Sequence, residues 1–428
     1  MVKIIGAGLA GCEAAYYLAN KNIKVKLYEM KTIKKSPAHK TDFFAELVCS
    51  NSLRSNDIYN AVGLLKEEMR IIGSLILEAA EATQVPAGSS LAVDRELFSK
   101  YITNKIKQHP NIEVINQEVT QLEENNLTII AAGPLASDSL SDEITKKIGS
   151  SNLYFFDAVA PIIDVNSINM NIAYVKDRYD KGDGSYINCP MSKLEYINFY
   201  NELIKAKKIV PKDFENNVFE GCMPIEVMAS RGFDTLTYGP LKPVGLEHNG
   251  NKPFAVVQLR QDDAAKTMYN MVGFQTHMTF DEQKRIIRLI PGLEKSEIIR
   301  YGVMHKNTYI NAPQILNSSY QVIEKPKIFF AGQISGVEGY VESAASGLVC
   351  AVNVYHIIKN NKLMPFPVDT MLGAMARYIS TPNKSFVPMN ANFSLLPSLD
   401  LNYKSKIDKR KAFTQRALSS IINFKDLL

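Results

Sequence analysis

The sequence predicts an α/β fold: a doubly wound dinucleotide-binding domain interrupted by an inserted α+β domain. Three observations carry this. The first is "VKIIGAGLAGCEAAYYLANKNIKVKLYEM", residues 2–30, which reads strand, glycine turn, helix, strand. The second is a distant return of the same texture, "KIFFAGQISGVEGYVESAASGLVCAVNVY", residues 327–355. The third is the different texture of roughly 160–315, with Pro and Gly dense at its joints. The dinucleotide domain is then 1–160 with 316–428, and the insertion is 161–315.

The first turn fits G-x-G-x-x-G with Gly6, Ala7, Gly8, Leu9, Ala10 and Gly11. Gly6 permits the tight turn, Gly8 lets the backbone approach a pyrophosphate, and Gly11 lets helix and strand pack closely. The helix start supplies N–H groups and partial positive charge to phosphates. Glu29 ends the next strand, 18 residues after Gly11, where a carboxylate accepts from a ribose hydroxyl. Cys12, inside this helix, reads as a small packed side chain. Residues 57–83 read as one long amphipathic helix with Met69 and Leu75 in the core. Two more strands are expected in 111–119 and 127–135, the second ending Ala-Gly-Pro.

The late turn holds Gly332, Gln333, Gly336, Gly339 and Tyr340 ahead of a small-residue helix start. A chain that returns to its first turn in this way is similar to flavoproteins of the glutathione-reductase type. A Rossmann-type FAD-binding domain is therefore expected, with Gln333 and Tyr340 near the flavin ring. No second G-x-G-x-x-G is present, so NAD(P)H is expected to bind only transiently. In the insertion, "SKLEYINFYNELIKAKKIV" (192–210) reads as a helix, and "CMPIEVMA" places another helix just after Pro224.

Composition narrows the function classes. The chain has 428 residues, 46% of them hydrophobic, and no run of about 18 apolar residues, so no membrane association is expected. It opens in a predicted strand, which leaves no targeting segment to expect. The five cysteines form no CxxC, which points to a reducing cytoplasm and away from a metal site. The net charge of +5 resides in 401–428, with seven Lys/Arg against two Asp. Such a tail is either a solvated helix or a strip that meets a polyanion such as RNA.

Longer motifs carry a more specific resemblance. "PAHKTDFFAELVCSNSLRS", "NAVGLLKEEMR", "VPAGSSLAVDRELFS", "FEGCMPIEVMASRG", "GPLKPVGLEH", "VVQLRQDDAA", "RYGVMHKNTYINAP", "FFAGQISGVEGYVESAASGL" and "PMNANFSLLP" run in order through the chain. Together they resemble the folate- and FAD-dependent RNA uracil-5-methyltransferase family, from about residue 2 to about 396. A wider relative is the longer tRNA wobble-uridine enzyme GidA, and a GidA-like or RNA-independent flavin oxidoreductase is the alternative reading.

The resemblance implies a reaction. Carbon comes from 5,10-methylenetetrahydrofolate, electrons come from NAD(P)H through FAD, and the product is 5-methyluridine in RNA. The substrate is the tRNA T-loop uracil or a uracil of 23S ribosomal RNA; no obligate protein partner is implied. C5 of uracil is a poor nucleophile, and a thiolate added at C6 creates an enolate whose C5 attacks an electrophilic carbon. The family's two functional cysteines fall on Cys49 in "ELVCSNSLR" and Cys222 in "EGCMPIE". Cys222 is expected to attack C6, with Cys49 beside the flavin. Cys12, Cys189 and Cys350 are left as packing residues. Asn51, Ser52, Arg54, Arg260, Gln261, Asp262, His305 and Tyr309 are further candidates for the pocket.

Overall fold

The computed structural model describes the chain except residues 37, 150–152, 159, 181–183, 210–222, 264, 303, 384–385, 400–402 and 404; at 153–158 and 304–307 it describes backbone alone. A five-stranded sheet forms the nucleotide-binding side, in the order Ile328–Phe330, Thr128–Ile130, Val2–Ile5, Val25–Glu29, Ile112–Asn116. Every pairing is parallel, with Ile4 opposite both Leu27 and Ile129, and Ile129 opposite Phe329. Parallel strands are buried on both faces, which explains their unbroken apolar runs. The strand Ile328–Phe330 enters this sheet from more than 190 residues downstream of its neighbour. The late glycine turn thus emerges on the same sheet edge as the first.

Small residues set the helix packing around this edge. A Cβ on Gly11 would stand 1.8 Å from the Gly6 carbonyl oxygen, and one on Gly347 would stand 2.2 Å from that of Ala10. Only glycine lets the helices Leu9–Asn20 and Tyr340–Asn360 come this close. The second of these is long and apolar enough to cross a membrane by composition, but it is mostly buried inside the protein. It is the central helix of the nucleotide-binding core.

The single helix expected over 57–83 is two: Ala61–Ile72 and Leu75–Ala82. Gly73 takes φ 102°, which breaks the helix, and Ser74 caps the next one by accepting from the Leu77 amide at 3.3 Å. Met69 and Leu75 are core residues as expected. Glu13 completes the break, its carboxylate accepting from Ile76 N at 2.9 Å.

The insertion is built on a six-stranded antiparallel sheet, in the order Tyr174–Val175, Tyr186–Met191, Ala255–Gln261, Met268–Met271, Ile162–Asp164, Ile298–Arg300. The helix Lys193–Lys205 covers it, started by a reciprocal Ser192–Glu195 capping box. A separate hydrophobic cluster, including Tyr196, Phe199 and Phe274, runs from Ala160 to Leu293 in sequence. Tyr309, Ile310 and the residues after them pack in the nucleotide-binding core. Between the two, Leu153–Ala158 and Met304–Tyr309 pair antiparallel.

The terminal helix, Lys406–Lys425, is not simply solvated. Phe413, Thr414, Ala417, Ile421 and Phe424 are buried, and the four apolar ones join the nucleotide-binding core. Its hydroxyl and guanidinium groups also bond inward, Thr414 to Ile58 O and Arg416 to Pro397 O and Ser398 O.

Candidate active site

The glycine turn opens a cleft. The strand edge holds Gly6, which donates to Tyr28 O at 2.8 Å and takes φ 100°. A Cβ on Gly6 would lie 2.5 Å from Ala131 O, whereas a Cβ on Gly8 would meet nothing within 4 Å. The two glycines therefore differ in kind. Gly6 and Gly11 serve the fold, and Gly8 faces open space at the start of the helix Leu9–Asn20. That space is where a dinucleotide pyrophosphate fits. Glu29 stands at the strand end with its carboxylate accepting from Ala7 N at 2.7 Å and Lys31 N at 2.9 Å.

This cleft encloses about 1130 Å³ of space, part of it open solvent. Gly6, Ala7, Gly8, Leu9, Ala10 and Glu29 line it from the first turn, and Gly332, Gln333 and Tyr340 from the late turn. Gly332 donates to Ser346 Oγ at 2.6 Å, and Gln333 Nε2 to Glu338 at 2.6 Å. Gly339 is not among the lining residues: it caps the helix Tyr340–Asn360 at φ 116°, and a Cβ there would collide with the Glu342 carboxylate. Sequence reasoning missed Lys31, Lys34, Ser36 and His39, which line the cleft beyond Glu29.

At the rim of the cleft lies the loop that carries Cys49. Val48 lines the cleft, and the Tyr340 hydroxyl accepts from Cys49 N at 2.7 Å and Ser50 N at 3.1 Å. Burial pushes the Tyr340 phenol well above its ordinary range. Three guanidinium groups hold the same loop. Arg95 donates to Leu47 O at 2.5 Å and Cys49 O at 3.1 Å, Arg300 to Val48 O at 2.8 Å, and Arg260 to Ser50 Oγ at 2.5 Å. Burial works against the charge of all three, and for Arg95 the adjacent Asp262 carboxylate more than offsets it. Such a cluster creates a field that favours an anion at this loop.

The loop is also a joint between the two halves. Arg95 begins a helix of the nucleotide-binding side, while Arg260, Asp262 and Arg300 belong to the antiparallel sheet or its edge. Asn51, fully buried, donates to Val93 O at 3.0 Å and Gln261 O at 2.8 Å and accepts from Arg260 at 3.1 Å. Of the further candidates, Asn51, Arg260 and Asp262 thus converge on the Cys49 loop, and Gln261 joins them through its backbone carbonyl alone. Arg54 turns instead to an ion pair with the buried Glu342. Tyr309 is buried in the nucleotide-binding core with its ring 6.1 Å from that of Phe386, and it is not among the residues that line the dinucleotide cleft. The side chain of His305 and all of Cys222 lie outside the described residues. Past Cys222, the helix Ile225–Ser230 begins after Pro224 as expected, and Glu226 is buried against Thr276 and His277. Cys12, Cys189 and Cys350 are fully buried, and burial pushes their thiols up.

Arg95 and Arg300 fall inside quoted motifs, but nothing in those motifs singles them out; only the tertiary fold brings them to the Cys49 loop.

Comparisons with known proteins place these features in a family. Residues 1–362 match the family described as "Glucose inhibited division protein A". A protein of Acholeplasma laidlawii named methylenetetrahydrofolate–tRNA-(uracil-5-)-methyltransferase TrmFO is 64% identical over 422 residues, covering 98% of each chain. The proteins of that name from Bacillus subtilis and Staphylococcus aureus are 55% identical over 424 residues and 56% identical over 432. The B. subtilis match covers 98% of this chain and 97% of its own, the S. aureus match 100% and 99%. Among solved structures, GidA from Aquifex aeolicus superposes with a TM-score of 0.73 at 15% identity, over 100% of this chain and 73% of that one, a likeness of fold. This chain belongs to the glucose inhibited division protein A family and, within it, to the TrmFO group.

Proposed function

We propose that this chain is a folate- and FAD-dependent methyltransferase that makes 5-methyluridine in RNA, using carbon from 5,10-methylenetetrahydrofolate. Its family membership supports the reaction class. The observation that carries the site is the Cys49 loop, set at the rim of the dinucleotide cleft under Tyr340 and three guanidinium groups. Bound FAD, reduced by NAD(P)H, would supply the electrons that turn the transferred carbon into a methyl group.

The residues of the chain have separate tasks in this reading. Gly8 gives the pyrophosphate room, and Glu29 accepts from a ribose hydroxyl. Gln333 and Tyr340 border the flavin ring. The Cys222 thiolate adds to C6 of the uracil, so C5 becomes nucleophilic and attacks the methylene carbon. A base removes the C5 proton as the carbon's bond to its carrier nitrogen breaks; a hydride equivalent then reduces the exocyclic methylene so formed, and the thiolate leaves C6 as the double bond reforms. Cys49 stands at the cleft rim, where the positive field of its loop suits a thiolate that manages the incoming carbon or that proton. The substrate inferred is tRNA, the RNA in the names of the relatives. A cytoplasmic location accompanies that substrate and the free thiols.

Purified protein, NAD(P)H and methylene-labelled folate are incubated with tRNA or with 23S ribosomal RNA, each lacking 5-methyluridine. Label recovered as 5-methyluridine in the tRNA digest is the expected result. Label in ribosomal RNA alone reassigns the substrate, and label in neither overturns the reading.

A further inference from the structure

The terminal helix has two parts with opposite character. From Phe413 onward its apolar side is packed, with the Phe413 ring stacked 5.7 Å from Phe393 and the Phe424 ring 4.5 Å from Phe366. The turns before Phe413 are exposed and basic: Lys406, Lys409, Arg410 and Lys411. Among the described residues, none of these four takes part in an ion pair. A helix anchored at one end therefore presents four cationic side chains, with Asp408 the one acidic residue among them, at its free end.

Three of the four share a face. Lys406, Lys409, Arg410 and Phe413 follow i, i+3, i+4, i+7 and line one groove. The opposite wall is neutral, with Asn60, Asn392, Ser394 and Tyr403. Among the described residues no Asp or Glu lines the groove, which encloses about 1550 Å³ of space, part of it open solvent. Hydroxyl, amide and cationic donors along this wall suit phosphodiester oxygens, contacts that position a nucleic acid without reading its sequence.

The groove is linked to the active site. Ala391, in its wall, donates to the buried Glu342 at 2.9 Å, and Glu342 pairs with Arg54. Arg54 follows Cys49 by five residues, and Glu342 follows Tyr340 by two. The unit in the groove wall thus stands on the same two chain segments that carry Cys49 and Tyr340 to the cleft rim. We infer that this groove seats the phosphate backbone of the RNA substrate beside the target uracil, an inference that rests on the function proposed above. An acidic protein segment is the competing occupant.

The test is the triple variant Lys406→Gln, Lys409→Gln, Arg410→Gln, which leaves the buried face of the helix intact. RNA affinity is measured against salt, together with KM for RNA and NAD(P)H oxidation without RNA. Each phosphate contact contributes about −0.7 to −0.9 to the slope of log affinity against log salt, so the slope should flatten by about 2. Affinity at low salt should fall by at least about tenfold, and KM for RNA should rise, while FAD content and RNA-free oxidation stay unchanged. The charge-keeping variant Lys406→Arg, Lys409→Arg, Arg410→Lys should hold the wild-type slope. An equal loss of charge elsewhere, Lys24→Gln, Lys193→Gln, Lys284→Gln, should leave the slope nearly intact. An unchanged slope in the groove variant, or equal flattening in the distant one, overturns the inference. Failure of the wild-type protein to bind or methylate any RNA overturns the proposed function instead.

Discussion

Arg95 meets Asp262 through a two-pronged ion pair, Nε to Oδ2 at 2.7 Å and Nη2 to Oδ1 at 2.9 Å, and this pair joins the nucleotide-binding side to the inserted sheet. Both side chains are largely buried, 14% and 2% exposed. Two of the guanidinium's three remaining donors go to the carbonyls of Leu47 and Cys49. The same group therefore fixes the cysteine loop and its seam with the antiparallel sheet, a task that needs the planar fork of arginine.

The first prediction follows from that joint. Asp262→Ala leaves a buried guanidinium without its carboxylate, which costs roughly 3–5 kcal/mol in measured cases. Thermal denaturation should show a clear loss of stability. Arg95→Lys keeps the charge but cannot reach Asp262, Leu47 and Cys49 together. It should retain FAD and NAD(P)H oxidation while methyl transfer falls by at least about tenfold. Full methyl transfer by Arg95→Lys would remove the fork from the argument.

The glycines of the first turn should separate cleanly. A Cβ at Gly8 meets nothing within 4 Å, so Gly8→Val should fold with stability within about 1 kcal/mol of the parent. Its FAD content should nevertheless collapse, because the side chain takes the place of the pyrophosphate. Gly11→Ala puts a Cβ 1.8 Å from the Gly6 carbonyl oxygen and should destabilise the apoprotein itself. Absorbance of bound flavin and apoprotein melting distinguish the two; a yellow Gly8→Val protein contradicts the cleft assignment.

Cysteine substitution tests the division of labour. Cys222→Ala should abolish methyl transfer and spare NAD(P)H oxidation, since the thiolate acts at uracil. A covalent complex with 5-fluorouracil-substituted RNA should form in the parent and vanish with Cys222→Ala. Should the complex depend on Cys49 instead, the two roles are exchanged.

Two buried carboxyls predict a pH dependence of stability. Burial pushes Glu13 and Glu68 up to about 8, although each accepts from backbone amides at a helix start, Glu68 from Met371 N and Leu372 N. A carboxyl whose folded pKa lies above its unfolded value favours the fold most at low pH and loses that contribution as pH rises. From about 4.5 to about 8, these two groups should therefore lower stability progressively. Glu68→Gln carries no such charge, so its melting temperature should fall less between pH 6 and pH 9 than that of the parent. Parallel profiles would show that Glu68 stays ionised.

The sequence by itself determined the parallel nucleotide-binding core, because its signals are local. A glycine spacing, an apolar run and a strand-ending Glu29 each act within about one strand-turn-helix unit, and the sheet order places Ile328–Phe330 back beside Thr128–Ile130. It also marked Cys49 through its motif. It erred over 57–83, where helical periodicity continues across Gly73 and only the backbone at φ 102° and the Glu13 carboxylate reveal the break. What only the tertiary structure decided is which distant groups meet. Arg95, Arg260 and Arg300 come from three separate elements and reach one loop, and no local pattern encodes that convergence. The tail shows the same limit: its charge was legible, but which residues were buried depended on the surface it docks against. Phe413 and Arg416 turned inward, and Lys406, Lys409 and Arg410 were left facing a groove, because burial is decided by long-range packing and not by the segment itself.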